Sequence, residues 1–164
     1  MGMFDLIKML SGANVEYVLV GGLAVALHGY QRVTMDVDVV LAMDKENLQR
    51  FIGCAKAADL RPVIPVSIDS LAQPELIAQW CNEKGMLAFG LRSPEAMASV
   101  IDVLVKPAVS FSDLRRDATI IDVGPLKVPV ASIEHLIIMK TGTGRSKDII
   151  DIEELRKVQA RRLP

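Results

Sequence analysis

Two carboxylates, Asp36 and Asp38, stand inside the otherwise apolar run Met35–Ala42, MDVDVVLA. A strand alternates its faces with period two, so both acids point to one face while Met35, Val37 and Val39 point to the other. Carboxylates side by side on a sheet face repel each other and lose hydration, a cost that a cation or a basic partner normally offsets. A divalent metal is the simplest neutraliser. The chain therefore needs a sheet with one charged face.

The preceding segment supplies a partner for such a site. Tyr17–Val20 reads as a strand, Gly21-Gly22 follows it, and Leu23–His28 has the pattern of a short helix stopped by Gly29. Glycines where a strand turns into a helix let a phosphate approach backbone N–H groups and the positive end of the helix dipole. Taken separately, the two halves read as an ordinary Gly-Gly turn and a half-exposed strand. At this spacing they point together to a nucleoside triphosphate bound with its metal.

With 164 residues, the chain is expected to form one domain spanning 1–164 and to bury its own core. Its 19 basic and 20 acidic residues exclude a global basic field that would capture nucleic acid non-specifically, so an RNA partner would be held locally. Aromatic residues make up 4% of the chain, too few for an evident stacking platform. Cys54 and Cys81 lack metal-ligand spacing and read as buried reduced thiols. The start of the chain has no signal-peptide pattern, and no apolar run reaches the roughly 18 residues of a membrane span. A cytoplasmic location without membrane contact is expected.

The remaining pattern is α+β. Helices are expected over Phe4–Leu10, after an N-cap at Asp44, over Leu71–Lys84 with Pro74 in its first turn, after a cap at Ser132, and through Ile149–Leu155. Strands are expected over Val37–Ala42, Met86–Leu91 and Val100–Val105, with Thr119–Val130 as a hairpin through Gly124-Pro125. Pro62 and Pro65 restrict Arg61–Val66 to an edge strand or a loop.

Asp102 lies at the centre of the apolar VIDVLV, where an acid is rarely buried without a partner. It is the candidate third carboxylate; the competing reading is a strand-end Asp that meets an Arg or Lys. Asp122, just before a turn, is a weaker competitor. Lys140, Arg145 and Lys147 concentrate positive charge near a helix end and a loop. They form either a cradle for a triphosphate or a solvated loop paired with Asp148, Asp151 and Glu154. Asp148 and Asp151 are read as fixing the helix and orienting Lys147. His28 and His135 have no ligand partners at metal spacing. Arg32 and Thr34 could contact a phosphate or form a salt bridge and a turn hydroxyl.

The segment Gly21-Gly22-x-Ala24, His28-Gly29, Arg32-x-Thr34-x-Asp36-x-Asp38 resembles the first motif of the nucleotidyltransferase superfamily built on the DNA polymerase beta-like core. Lys140 followed by Arg145-x-Lys147-Asp148-x-x-Asp151 resembles its second block. Within the superfamily the sequence is most similar to the small bacterial AbiEii-like and minimal nucleotidyltransferase group. Many members carry Gly-Ser where this chain has Gly21-Gly22, and the Gly-Gly form is characteristic of the AbiEii-like branch.

The resemblance implies a nucleotidyltransferase fold, with a mixed central sheet flanked by helices and a C-terminal helix pair. It further implies transfer of an NMP from an NTP to a hydroxyl acceptor, an RNA end or a protein, by a two-metal mechanism. Asp36, Asp38 and Asp102 would be the catalytic and metal-binding acids for Mg²⁺ or Mn²⁺. Gly21, Gly22, Arg32, Thr34, Lys140, Arg145 and Lys147 would hold the nucleotide, and His28 would position the loop leading to the aspartates. A cognate toxin or antitoxin is the implied protein partner. The alternatives are a catalytically silent nucleotide- or partner-binding module, and a phosphohydrolase using the same acids.

Overall fold

The computed structural model describes residues 1–163. Among them a seven-stranded mixed sheet runs in the order β3-β4-β5-β2-β1-β7-β6. The chain enters through α1 (Met3–Gly12), β1 (Tyr17–Val20), α2 (Gly21–Leu27), β2 (Val37–Leu41) and α3 (Lys45–Ala57). Next come β3 (Arg61–Pro62), a 3-10 turn at Ile68–Ala72, α4 (Pro74–Lys84), β4 (Ala88–Arg92) and β5 (Ile101–Leu104). It closes with α5 (Phe111–Arg116), β6 (Thr119–Val123), β7 (Leu126–Val130), α6 (Ile133–Lys140) and α7 (Ser146–Arg162).

The middle of the sheet is its most apolar part. Every residue of β1 is buried, and Val37, Val39, Ile101 and Val103 are fully enclosed. Their side chains face away from the acids, as period-two alternation requires. Leu6, Leu10 and Phe51 from α1 and α3 join the same core. β2 runs antiparallel to β1 and parallel to β5, so β2 and β5 are neighbours although helices and two strands separate them in the chain.

Several boundaries follow local chemistry. Asp44 and Ser132 accept hydrogen bonds from the Asn47 and His135 amides and cap α3 and α6. Gly85 adopts a left-handed conformation and ends α4. The prolines hold β3 to two residues at the sheet edge. The expected helix over Leu71–Lys84 divides instead into the 3-10 turn and α4, because Pro74 starts a new helix at its first position. α5, capped by Ser110, is an element that the apolar pattern did not signal.

Asn47 is fully buried and ties α3 to β1 and β2. Its side chain donates to the Glu16 and Ala42 carbonyls at 2.9 and 2.8 Å and accepts from the Glu16 amide at 2.7 Å. Cys54 and Cys81 are free and half-buried. No described helix is long and apolar enough to cross a membrane.

Candidate active site

The parallel register of β2 and β5 sets Asp38 directly opposite Asp102. Asp36 lies two residues upstream on the same face, just before β2 begins, and its Oδ1 accepts from the Val100 amide at 3.3 Å. Three acids from two neighbouring strands thus share one sheet face. Burial first, then Asp102 and Asp36, push the Asp38 carboxyl up to about 6, against the opposing pull of Lys140 and Arg145. Burial and Asp36 likewise raise Asp102. Asp122 lies instead on β6, at the far edge of the sheet, in an exposed ion pair with Lys127.

Gly21 occupies the other side of Asp38. Its φ is +71°, and a Cβ there would sit 2.1 Å from Asp38 Oδ2, so only glycine fits. A Cβ at Gly22 would meet Arg32 Cζ and Thr34 Oγ1, both at 3.2 Å. Arg32 and Thr34 therefore lie against the start of α2. The first turn of that helix has no side-chain cap.

The cations are held by buried acids. Asp148 and Asp151 are 1% and 2% exposed. Asp151 pairs with Arg32 and, at 2.9 Å, with Lys140. Asp148 accepts from Lys140 at 3.3 Å, Thr143 at 2.7 Å and Arg145 at 2.8 Å. Burial pushes Asp148 up, but Thr143, Lys140 and Arg145 together outweigh it and leave the carboxyl below its usual range.

The expectation that Asp148 and Asp151 orient Lys147 is corrected here. They seat Lys140, Arg145 and Arg32, while Lys147 projects exposed from the first turn of α7. The pairing of Arg32 with Asp151 joins residues 119 positions apart, and no local pattern announces it.

His28 is buried. Its Nε2 lies 2.8 Å from the Ala131 carbonyl, and Arg162 donates to its backbone carbonyl at 3.0 Å. With Nε2 carrying the proton, Nδ1 can accept from Arg162 at 3.3 Å. Burial, only partly opposed by the Ala131 bond, lowers its pKa, so a neutral ring ties the end of α2 to the turn before α6.

Among the described residues no three His, Cys, Asp or Glu side chains are already gathered into a metal-binding group. The donor chemistry of Asp36, Asp38 and Asp102 nonetheless suits a hard divalent cation, since carboxylate oxygens are its preferred ligands. Burial is the main cause of the upward displacement of Asp38, and the neighbouring acids Asp102 and Asp36 add to it.

No protein-family model matches the sequence, and no curated protein matches it. Solved structures do match. One is the lincomycin-bound crystal structure of the lincosamide antibiotic adenylyltransferase LnuA, 17% identical with a TM-score of 0.60 over 95% of this chain and 95% of that one. Another is an antigenic nucleotidyltransferase-like protein from Paracoccidioides brasiliensis, 19% identical with a TM-score of 0.56 over 98% of this chain and 74% of that one. The chain has the nucleotidyltransferase fold.

Proposed function

We propose that the protein is a metal-dependent nucleotidyltransferase that moves an NMP from an NTP to a hydroxyl acceptor. The observation that carries this reading is the register of Asp38 with Asp102, which sets two carboxylates side by side on one sheet face, with Gly21 closing on Asp38. Asp36, Asp38 and Asp102 would hold Mg²⁺ or Mn²⁺, which when bound neutralises the triphosphate and acidifies the acceptor hydroxyl.

The rest is work for the chain itself. The Gly21 and Gly22 amides, Arg32, Thr34, Lys140 and Arg145 receive the β and γ phosphates, with Lys147 reaching in from α7. Asp102 accepts the proton of the acceptor hydroxyl as its oxygen bonds to the α-phosphorus. The bond from that phosphorus to the bridging oxygen breaks, and pyrophosphate leaves with the electron pair. No covalent enzyme intermediate is needed.

An RNA end, a protein hydroxyl and a small-molecule hydroxyl are the acceptor classes. The likeness in fold and length to a lincosamide adenylyltransferase supports the small molecule. Membership of the AbiEii-like branch, and with it a toxin or antitoxin partner, rests on the Gly21-Gly22 form of the motif.

The test is label transfer from each α-labelled NTP with Mg²⁺ or Mn²⁺, offering RNA, protein and small hydroxylated compounds, beside the Asp36→Asn/Asp38→Asn variant. Label reaching an acceptor only with the acids intact establishes the reading. Nucleotide that binds through the acids without any transfer replaces it with the silent module, and free phosphate or NMP without an acceptor replaces it with the phosphohydrolase.

A further inference from the structure

The two sides of the acid row differ in chemistry. On the β1 side stand the cations Arg32, Lys140 and Arg145, seated by Asp148 and Asp151. On the β4 side the row continues without charge. Antiparallel pairing sets Gly90 opposite Asp102, and the Val63 amide donates to the Gly90 carbonyl at 2.9 Å. Across the strands the order is Asp38, Asp102, Gly90, Val63. An added Cβ at Gly90 would lie 2.8 Å from Asp102 Oδ1, 3.0 Å from Val63 Cγ2 and 3.5 Å from Val100 Cγ1.

The outer oxygen of the third acid is therefore flanked by a bare backbone and two valine side chains. Val63 is 52% exposed, so an apolar wall stands open beside Asp102. The nearest cations along that edge are Arg61 and Arg92, paired across β3 and β4. Asp59 already engages Arg61. An RNA end would bring several phosphates to a flank that offers two arginines, one of them shared with Asp59.

We infer that the acceptor approaches Asp102 from the β4 side, over Gly90, and that it is a small molecule whose hydroxyl is borne on an apolar body packed against Val63 and Val100. This rests on the nucleotidyl-transfer reading above. In it, the acceptor hydroxyl gives its proton to Asp102, its oxygen takes the NMP and pyrophosphate leaves. Val63 is a specificity-determining residue; its side chain has no polar group with which to bond the phosphates or the acids.

The experiment uses the full chain with Mg²⁺ and α-labelled NTPs, and offers a panel of amphiphilic alcohols and phenols, total RNA and lysate protein. Label is expected on members of the panel and not on RNA. Val63→Ser, which removes the wall without adding charge, is expected to raise the acceptor KM about five- to ten-fold, the share of a half-buried valine, and to leave NTP affinity and kcat unchanged. Val63→Leu is expected to restore the KM.

Three outcomes overturn the acceptor assignment alone: Asp38-dependent label on RNA, the same on protein with the panel unlabelled, or an acceptor KM indifferent to Val63→Ser. Absence of Asp38-dependent transfer to any acceptor overturns the transferase reading and this inference with it.

Discussion

Asp38 and Asp102 stand opposite one another on parallel strands, and Gly21 closes on Asp38 so tightly that a methyl group could not be placed between them. The acid pair is thus held from the strand side and from the helix side at once. Its burial and mutual repulsion make the site measurable without any substrate.

The first consequence is a pH-dependent stability. A carboxyl raised from 3.8 to about 6 stabilises the fold most when protonated, so its contribution is full below about pH 4 and is lost as the pH rises through about 6. Chelator-treated protein should lose about 3 kcal/mol across this window, since a tenfold difference in proton affinity between the folded and unfolded chain is worth about 1.4 kcal/mol. Asp102 is displaced in the same direction and adds to the slope. Asp148, displaced downward, acts at lower pH, where its stabilisation fades as the solution is acidified. Denaturant melts of wild type and Asp38→Asn from pH 4 to 8 check this; the variant should show a flatter profile and exceed wild type at neutral pH.

Metal binding should reverse that profile. Millimolar Mg²⁺ or Mn²⁺ is expected to raise the melting temperature at pH 7.5 in wild type and leave it unmoved in Asp36→Asn/Asp38→Asn, because a cation that binds the folded acids stabilises by mass action. Differential scanning fluorimetry with added chelator reads the effect directly.

Two glycine substitutions should move in opposite directions. Gly21→Ala forces an L side chain into a positive φ and onto Asp38; it should destabilise the fold by about 2 kcal/mol or more and abolish transfer. Gly53 lies in the exposed interior of α3 with open space around it, so Gly53→Ala should add about 0.5–1 kcal/mol and leave activity alone. Thermal melts and a transfer assay on both variants make the comparison.

Removing Asp151 strands Arg32 and leaves Lys140 with Asp148 alone. Lys140 is buried, and Asp151→Ala would leave it and Arg32 without their shared carboxylate. The expected cost is about 3 kcal/mol or more, with weaker NTP binding, whereas Lys147→Ala, at an exposed position, should leave stability within about 0.5 kcal/mol. Urea melts and nucleotide titrations distinguish the two.

Period and punctuation made much of this architecture legible in the sequence. Tyr17–Val20 is a strand at the expected bounds, Asp44 and Ser132 cap helices, and the Gly124-Pro125 hairpin joins β6 to β7. These features are local, set within a few residues by alternation or by a side-chain bond to a nearby amide. α5 escaped because six residues hold too little periodicity, and the break before Pro74 was hidden by apolar residues on both sides of it.

The site divides along the same line. Asp36 and Asp38 were visible as acids in an apolar strand, but the pairing of Asp102 with Asp38 is a register between distant segments, which the resemblance supplied and alternation could not. The seating of Arg32 by Asp151, and the bare flank at Gly90, depend on which segments meet in space. Their residues carry no local anomaly.

Arg32 belongs to the first half of the chain and its carboxylate to the last helix. During synthesis, all seven strands and Asp36, Asp38 and Asp102 emerge before Asp148 and Asp151 do. A chain interrupted after β7 would hold every strand and Arg32 but would lack Lys140, Arg145 and both of the carboxylates that seat these three cations. α7 is thus the element that gathers cations from both halves of the chain under one pair of carboxylates.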